Sequence, residues 1–412
     1  MFLRGFLGPL ASSLGNVVTV APSSSPLSLG DSLSPSDLCP NFVDGNGGTY
    51  APAWDAIYLP PVTARINAMI SGNLTFTTSD VSIFPYLCGF ESQITGNLSP
   101  WCGVFTDEEL KQYEYRQDLR YFYGTGPGTK LPQTMMLPFL NRLVEILAEG
   151  PGITGKYANG SIYNLPNIIM AFANDGQLSE TVAGSGVFDE QQMLPADRMP
   201  EDRTYMASHF DSMRGTIAFE RLNCIVPISS NNSSSSSSTA TSTKSSSSSS
   251  TYGYSNMTSS TSRLSSSAYS NSTATGSSTF STSVRSATAS SSAGTEKIVT
   301  ITNHQITTIC PPEPTQRANS YSRRAVNSTA TTNQTYIRIR LNDAVYPVPS
   351  CQDGPGRSCL MSKYAAYIAA KYAASGSWHD NCNVTNPLSP TQVKGASFFT
   401  DLSSPWLANV SP

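Results

Sequence analysis

The chain has 412 residues, of which 13% are charged, with a net charge of −3; that balance excludes the basic surface nucleic acid requires. Its 39% hydrophobic content supports a buried core, and its length allows more than one domain. No run of about 20 apolar residues occurs, so no membrane-spanning helix is expected.

Met1 to Leu7 carries one positive charge and is followed by the breaker pair Gly8-Pro9, which makes it a poor signal peptide. A helix is expected over Ala53 to Ile70. Thr106-Asp-Glu-Glu109 has the form of a capping box, opening a helix to about Tyr123 that Gly124-Thr-Gly-Pro-Gly128 stops. Its acidic residues Asp107, Glu108, Glu109, Glu114 and Asp118 read as a solvated face without a chemical role. Apolar positions 136, 139, 140, 143, 144 and 147 predict a helix over Gln133 to Glu149, bent at Pro138.

The apolar run Ile168 to Ala173 reads as a buried strand that ends in Asn174-Asp175-Gly176, with a short helix following over Gln177 to Ser185. A carboxylate at the C-terminal end of a strand is where α/β folds place chemistry. Gly215 to Leu222 and Tyr336 to Leu341, the latter continued by Val345 to Val348, alternate as strands and predict a hairpin. A last helix is expected over Ser362 to Ala373.

Between the hairpin strands, Ser and Thr dominate residues 229 to about 296. Such a tract cannot bury enough apolar surface to offset its ordering entropy. It reads as an O-glycosylated, mucin-like loop, or else as translated non-coding sequence, within an insertion assigned to residues 229–334. Stretching a hairpin loop to about 110 residues adds only roughly 3 kcal/mol of closure entropy.

Eight cysteines stand at 39, 88, 102, 224, 310, 351, 359 and 382 without C-x-x-C spacing, so disulfides are a better reading than a zinc site. N-x-S/T triplets at Asn73, Asn159, Asn231, Asn232, Asn256, Asn271, Asn327, Asn333 and Asn383 point the same way. Asn97 and Asn409 are weaker because Pro follows. Both features predict passage through an oxidising secretory compartment, toward an extracellular or cell-wall location with N- and O-linked glycans.

In this order, Ser36-Asp-Leu-Cys-Pro-Asn-Phe42, Tyr86-Leu-Cys-Gly-Phe90, Ser99-Pro-Trp-Cys-Gly-Val-Phe-Thr106, Tyr123-Gly-Thr-Gly-Pro-Gly128, Asn342-Asp-Ala-Val-Tyr-Pro-Val348 and Cys351-Gln-Asp-Gly-Pro-Gly-Arg-Ser-Cys359 resemble the secreted fungal histidine acid phosphatases, the repressible acid phosphatase and phytase group. The resemblance implies a phosphoglycerate mutase-like α/β domain with a helical subdomain. Its pieces would be an entry segment at 1–50, helices at 51–150, and α/β parts at 151–228 and 335–412. It implies a phosphomonoester substrate and no cofactor. In the family an Arg-His-Gly-x-Arg-x-Pro segment supplies the nucleophilic His and phosphate-binding arginines, and a later His-Asp pair supplies a phosphate contact and a proton.

Here Asp175 matches the proton donor, while Asn174 stands where His is usual. No Arg-His-Gly run occurs, and Phe2 to Gly8 resembles a segment well inside full-length members. The first strands and the nucleophile are therefore expected to be missing, and the chain as given to be inactive. His209, His304 and His379 are read as structural, and without a G-x-S-x-G elbow a Ser-His-Asp hydrolase is unsupported. The resemblance also implies pairing of Cys88 with Cys102, Cys351 with Cys359 and Cys39 with Cys382, leaving Cys224 orphaned unless Cys310 captures it. The alternative reading, from another class, is a non-catalytic secreted or cell-wall glycoprotein on a degenerate phosphatase body.

Overall fold

The computed structural model describes residues 2–20, 28, 30–212, 214–227, 331–389, 393 and 395–410. Contacts divide the chain into one unit of Met1–Ile228 with Ile306–Pro412 and another of Ser229–Gln305; the second, with His304, lies outside the described residues. Helices α1 (Phe2–Leu7) and α2 (Ala11–Leu14) lead into β1 (Val17–Val20), which pairs antiparallel with the C-terminal β8 (Leu407–Val410).

Next come α3 (Tyr50–Ala68), α4 (Thr78–Thr95), α5 (Asp107–Gly124), α6 (Pro132–Met135) and α7 (Leu137–Glu149). Reciprocal capping boxes, Thr77 with Asp80 and Thr106 with Glu109, satisfy the first amides of α4 and α5. The single bent helix expected over 133–149 is instead two, parted at Met136, because Pro138 lacks an amide proton and suits the start of a new helix.

A small hairpin, β2 (Thr154–Lys156) with β3 (Ile162–Asn164), precedes α8 (Asp175–Ser185). The long hairpin forms as expected: β4 (Ile217–Pro227) pairs antiparallel with β5 (Thr331–Leu341) over their whole length. β5 begins at Thr331, inside the span assigned to the insertion. Strands β6 (Ala344–Val345) and β7 (Cys359–Leu360) also pair with β5, and α9 (Met361–Ala374) and α10 (Trp378–Asn381) complete the order.

One core joins these layers: Trp54, Tyr58, Val62 and Ile66 of α3 pack with Tyr115, Leu119 and Phe122 of α5, Leu140 and Val144 of α7, Val182 of α8, Ile337, Ile339 and Leu341 of β5, and Tyr364 and Ile368 of α9. Three disulfides form as the resemblance implied, Cys39–Cys382, Cys88–Cys102 and Cys351–Cys359. Cys224 is not orphaned. It is disulfide-bonded, and its partner lies outside the described residues.

Two expectations are corrected. Ile168 to Ala173 forms no strand, and Ile168, Ile169, Met170 and Phe172 are exposed. Among the described residues nothing pairs with either edge of this run, and an extended segment enters a sheet only where its amides and carbonyls find partners. The acidic residues of α5 are not uniformly solvated. Asp118 is fully buried, accepting from Arg203 Nε at 2.7 Å and from the Ala207 amide at 2.7 Å, while Glu114 accepts from Arg203 Nη2 and from the Ser208 hydroxyl. A helical pattern of charges cannot reveal that the segment 203–208 folds across it.

Candidate active site

Asp175 is the first residue of α8, with Asn174 as its N-cap. Even without the strand, the Asn-Asp-Gly sequence suits the point where chain direction changes. Asn174 is exposed, and its side chain makes no capping bond and no other hydrogen bond among the described residues. Asp175 Oδ1 accepts from the Gly176 amide at 3.0 Å and Oδ2 from the Tyr121 hydroxyl at 2.8 Å. Burial and this hydrogen bond push the Tyr121 phenol upward, so it stays a neutral donor.

Tyr121 comes from the last turn of α5, and its position depends on the Gly-Thr-Gly-Pro-Gly loop that follows. A Cβ on Gly126 would lie 2.6 Å from the Tyr121 carbonyl oxygen, and one on Gly128 only 2.5 Å from the Phe122 ring. Glycine is required there because the loop folds back onto the helix end. Thr125 borders the start of α8, with its Cγ2 3.6 Å from where a Gly176 Cβ would stand.

Around this pair lie polar groups that find no partner among the described residues. The Arg120 guanidinium stacks 4.2 Å over the Tyr121 ring and reaches Asp44 at 3.4 Å through Nη2, but its buried Nη1 donates to nothing described. Both buried oxygens of Asp211 are unpaired; burial pushes that carboxyl up to about 8, the Asp175 charge adds to the shift and Arg120 opposes it. Deeper in α8 and apart from this pair, Glu180 is fully buried near Ser36, Asp37 and Asp44, its two oxygens have no bonded partner among the described residues, and burial raises it to about 8. Gln177 gives its Nε2 to Ser36 Oγ at 3.1 Å while its Oε1 is unpaired.

Sequence reasoning selected Asp175 and Asn174 but missed Tyr121, Arg120 and Asp211. The Tyr-Phe-Tyr-Gly stretch was a signal for the first, and nothing in Ser208-His-Phe-Asp211 marks the last. His209 Nδ1 lies 3.2 Å from the Tyr346 hydroxyl and His379 3.7 Å from Asp380; neither is bonded to Asp175. Among the described residues the one cluster with metal-ligand spacing is Cys351, Asp353 and Cys359, whose sulfurs are joined in a disulfide and offer no thiolate.

The model of the histidine phosphatase superfamily (branch 2) matches residues 1–245. Phytase A of Neurospora crassa is 33% identical over 40% of the chain, and the thiamine-repressible acid phosphatase pho4 of Schizosaccharomyces pombe is 27% identical over 45% of it. These matches cover 38% and 40% of the relatives' own lengths, so the chain spans about two fifths of them. The crystal structure of the phytase from D. castellii superposes with a TM-score of 0.55 at 18% identity, covering 95% of this chain and 58% of that one, which shows a shared α/β fold. With more than half of its residues matched by the family model, the chain belongs to the histidine phosphatase superfamily, branch 2.

Proposed function

We propose that this chain carries the acid side of a phosphomonoester-hydrolysing site, with Asp175 as proton donor and Asn174 as a phosphate contact. The observation that supports this most is the placement of Asp175 at the start of α8, its carboxylate oriented by Tyr121. The amide-rich start of a helix suits a phosphate dianion. Arg120, with one guanidinium nitrogen uncommitted, adds a cation beside it.

In the reaction, a nucleophile forms a bond to phosphorus as the ester P–O bond breaks, and the leaving alkoxide takes the proton from Asp175. Water then displaces the nucleophile and releases phosphate. Asp211 is neutral at acid pH and adds no charge against the incoming phosphate. Asn174 donates through its amide but brings no positive charge, so phosphate is held less tightly than by an imidazolium.

The 412 residues contain no Arg-His-Gly run. Loss of a nucleophile costs on the order of 10⁶ in rate, so these residues alone should not turn over phosphomonoesters. The exposed N-x-S/T positions Asn73, Asn159, Asn333 and Asn383, together with the disulfides, support an extracellular glycoprotein. The test is a phosphatase assay at acid pH on the 412-residue polypeptide and on the same polypeptide joined to an N-terminal segment bearing Arg-His-Gly-x-Arg-x-Pro. Activity in the joined form alone supports the proposal. Activity in both would place the nucleophile within these residues, and activity in neither would favour the non-catalytic glycoprotein.

A further inference from the structure

Helix α4 rests on the core through Val81, Phe84 and Pro85 and turns a second apolar face outward. Ile83, Leu87, Phe90 and Ile94 are 53%, 37%, 55% and 83% exposed. At about 100° per residue they fall within roughly 60° of one another, on the side of the helix opposite its buried face. Tyr86 (42% exposed) and Leu98 (82%) flank them.

The spacing of the four is 4, 3, 4, which is the seam that a second helix fills. It also reads the same in both directions. When α4 is laid antiparallel on a copy of itself with the two-fold axis between Cys88 and Gly89, Ile83 meets Ile94 of the other copy and Leu87 meets Phe90. A two-fold interface needs this reciprocity, and an unrelated partner does not.

Charge and area agree. The helix carries two carboxylates, Asp80 and Glu91, and no Lys or Arg. Reversal sets Asp80 against Asn97 and Glu91 against Tyr86, so no like charges oppose each other. Together the six residues expose on the order of 600 Å² per copy, the upper end of the roughly 300–600 Å² patch of a typical monomer and about three quarters of the about 800 Å² each partner buries in a standard interface. No N-x-S/T triplet lies within residues 78–95, and the nearest, Asn97, is the one disfavoured by the Pro that follows it.

We propose that the exposed face of α4 is a homodimer interface, formed by antiparallel pairing of Ile83, Leu87, Phe90 and Ile94 with the same residues of a second copy. Sedimentation velocity of the glycosylated full chain across the micromolar range tests it. The wild type should sediment as a dimer. Leu87→Glu with Phe90→Glu should weaken association at least about 100-fold while leaving near-UV circular dichroism unchanged. Ile83→Lys with Ile94→Lys should also be monomeric, whereas Ile83→Lys with Ile94→Glu should dimerise again, because antiparallel pairing sets each lysine against a glutamate. A monomeric wild type, or a dimer indifferent to Leu87→Glu and Phe90→Glu, overturns the proposal. So does a longer form that stays monomeric while its added segment shields Phe90 from hydroxyl-radical labelling.

Discussion

Helix α5 supplies Asp118 to one polar cluster and Arg120, on another side of the same turn, to a second, and the two clusters behave differently. Asp118 meets Arg203 and the Ala207 amide, and Arg203 also meets Glu114 and the Pro200 carbonyl, so that cluster is buried and supplied with partners. Arg120, two residues on, reaches Asp44 and lies near Asp211, among buried atoms without a partner among the described residues: its own Nη1 and both oxygens of Asp211. Native interiors seldom leave buried polar groups unmet. The first cluster is structure, complete in itself. The second leaves polar groups without partners among the described residues, as the proposed phosphate site beside Asp175 requires.

The largest effect should come from breaking the complete cluster. Arg203→Leu leaves Asp118 buried without its cation and should cost about 3–5 kcal/mol in urea unfolding, whereas Arg120→Leu should cost under about 1 kcal/mol. Comparable losses would erase the distinction between the two regions.

Next in size is the pH dependence. Burial raises Glu180 and Asp211 to about 8 and Asp118 to about 6, from ordinary values of 4.5 for Glu and 3.8 for Asp. The native state therefore binds these protons more tightly than the unfolded chain, and the contribution of these three groups to stability is full in acid, below about pH 4, and is lost as pH rises through 6 to 8. Glu180→Gln and Asp211→Asn should each make the protein more stable than wild type at pH 8, by up to a few kcal/mol, and about equal to it at pH 4. Variants no more stable than wild type at pH 8 would contradict this.

The smallest effect is expected far from both clusters. Joining Pro227 to Thr331 by a short turn in place of residues 228–330, with Cys224→Ser because the deletion takes away the cysteine bonded to it, should shift the unfolding free energy by no more than roughly 2 kcal/mol in either direction, since the closure entropy of the tract and the crosslink lost with it offset one another. A drop of several kcal/mol would show that the Ser-rich tract contributes to the core.

Most of the scaffold was legible in the residues. A capping box located α5, an Ala- and Tyr-rich stretch α9, alternation the β4–β5 hairpin, and family resemblance supplied three disulfides. The strand over 168–173 was not, because an apolar run states that it can be buried without stating what pairs with it. The burial of Asp118 and the approach of Asp211 to Asp175 depend on how 203–211 crosses α5, a tertiary contact with no local pattern. Tyr121 stood between, visible as part of a motif but without a role until its hydroxyl was seen on Asp175.

The central claim, that Asp175 protonates the leaving group, is tested most directly by the dependence of rate on leaving group. In the form joined to the Arg-His-Gly segment, Asp175→Asn should lower kcat by about 10²–10⁴ for alkyl phosphates, whose alkoxides need a proton. For p-nitrophenyl phosphate, whose leaving group departs as a stable anion, the loss should be small. Equal losses for both substrates, or none for the alkyl esters, would contradict the account.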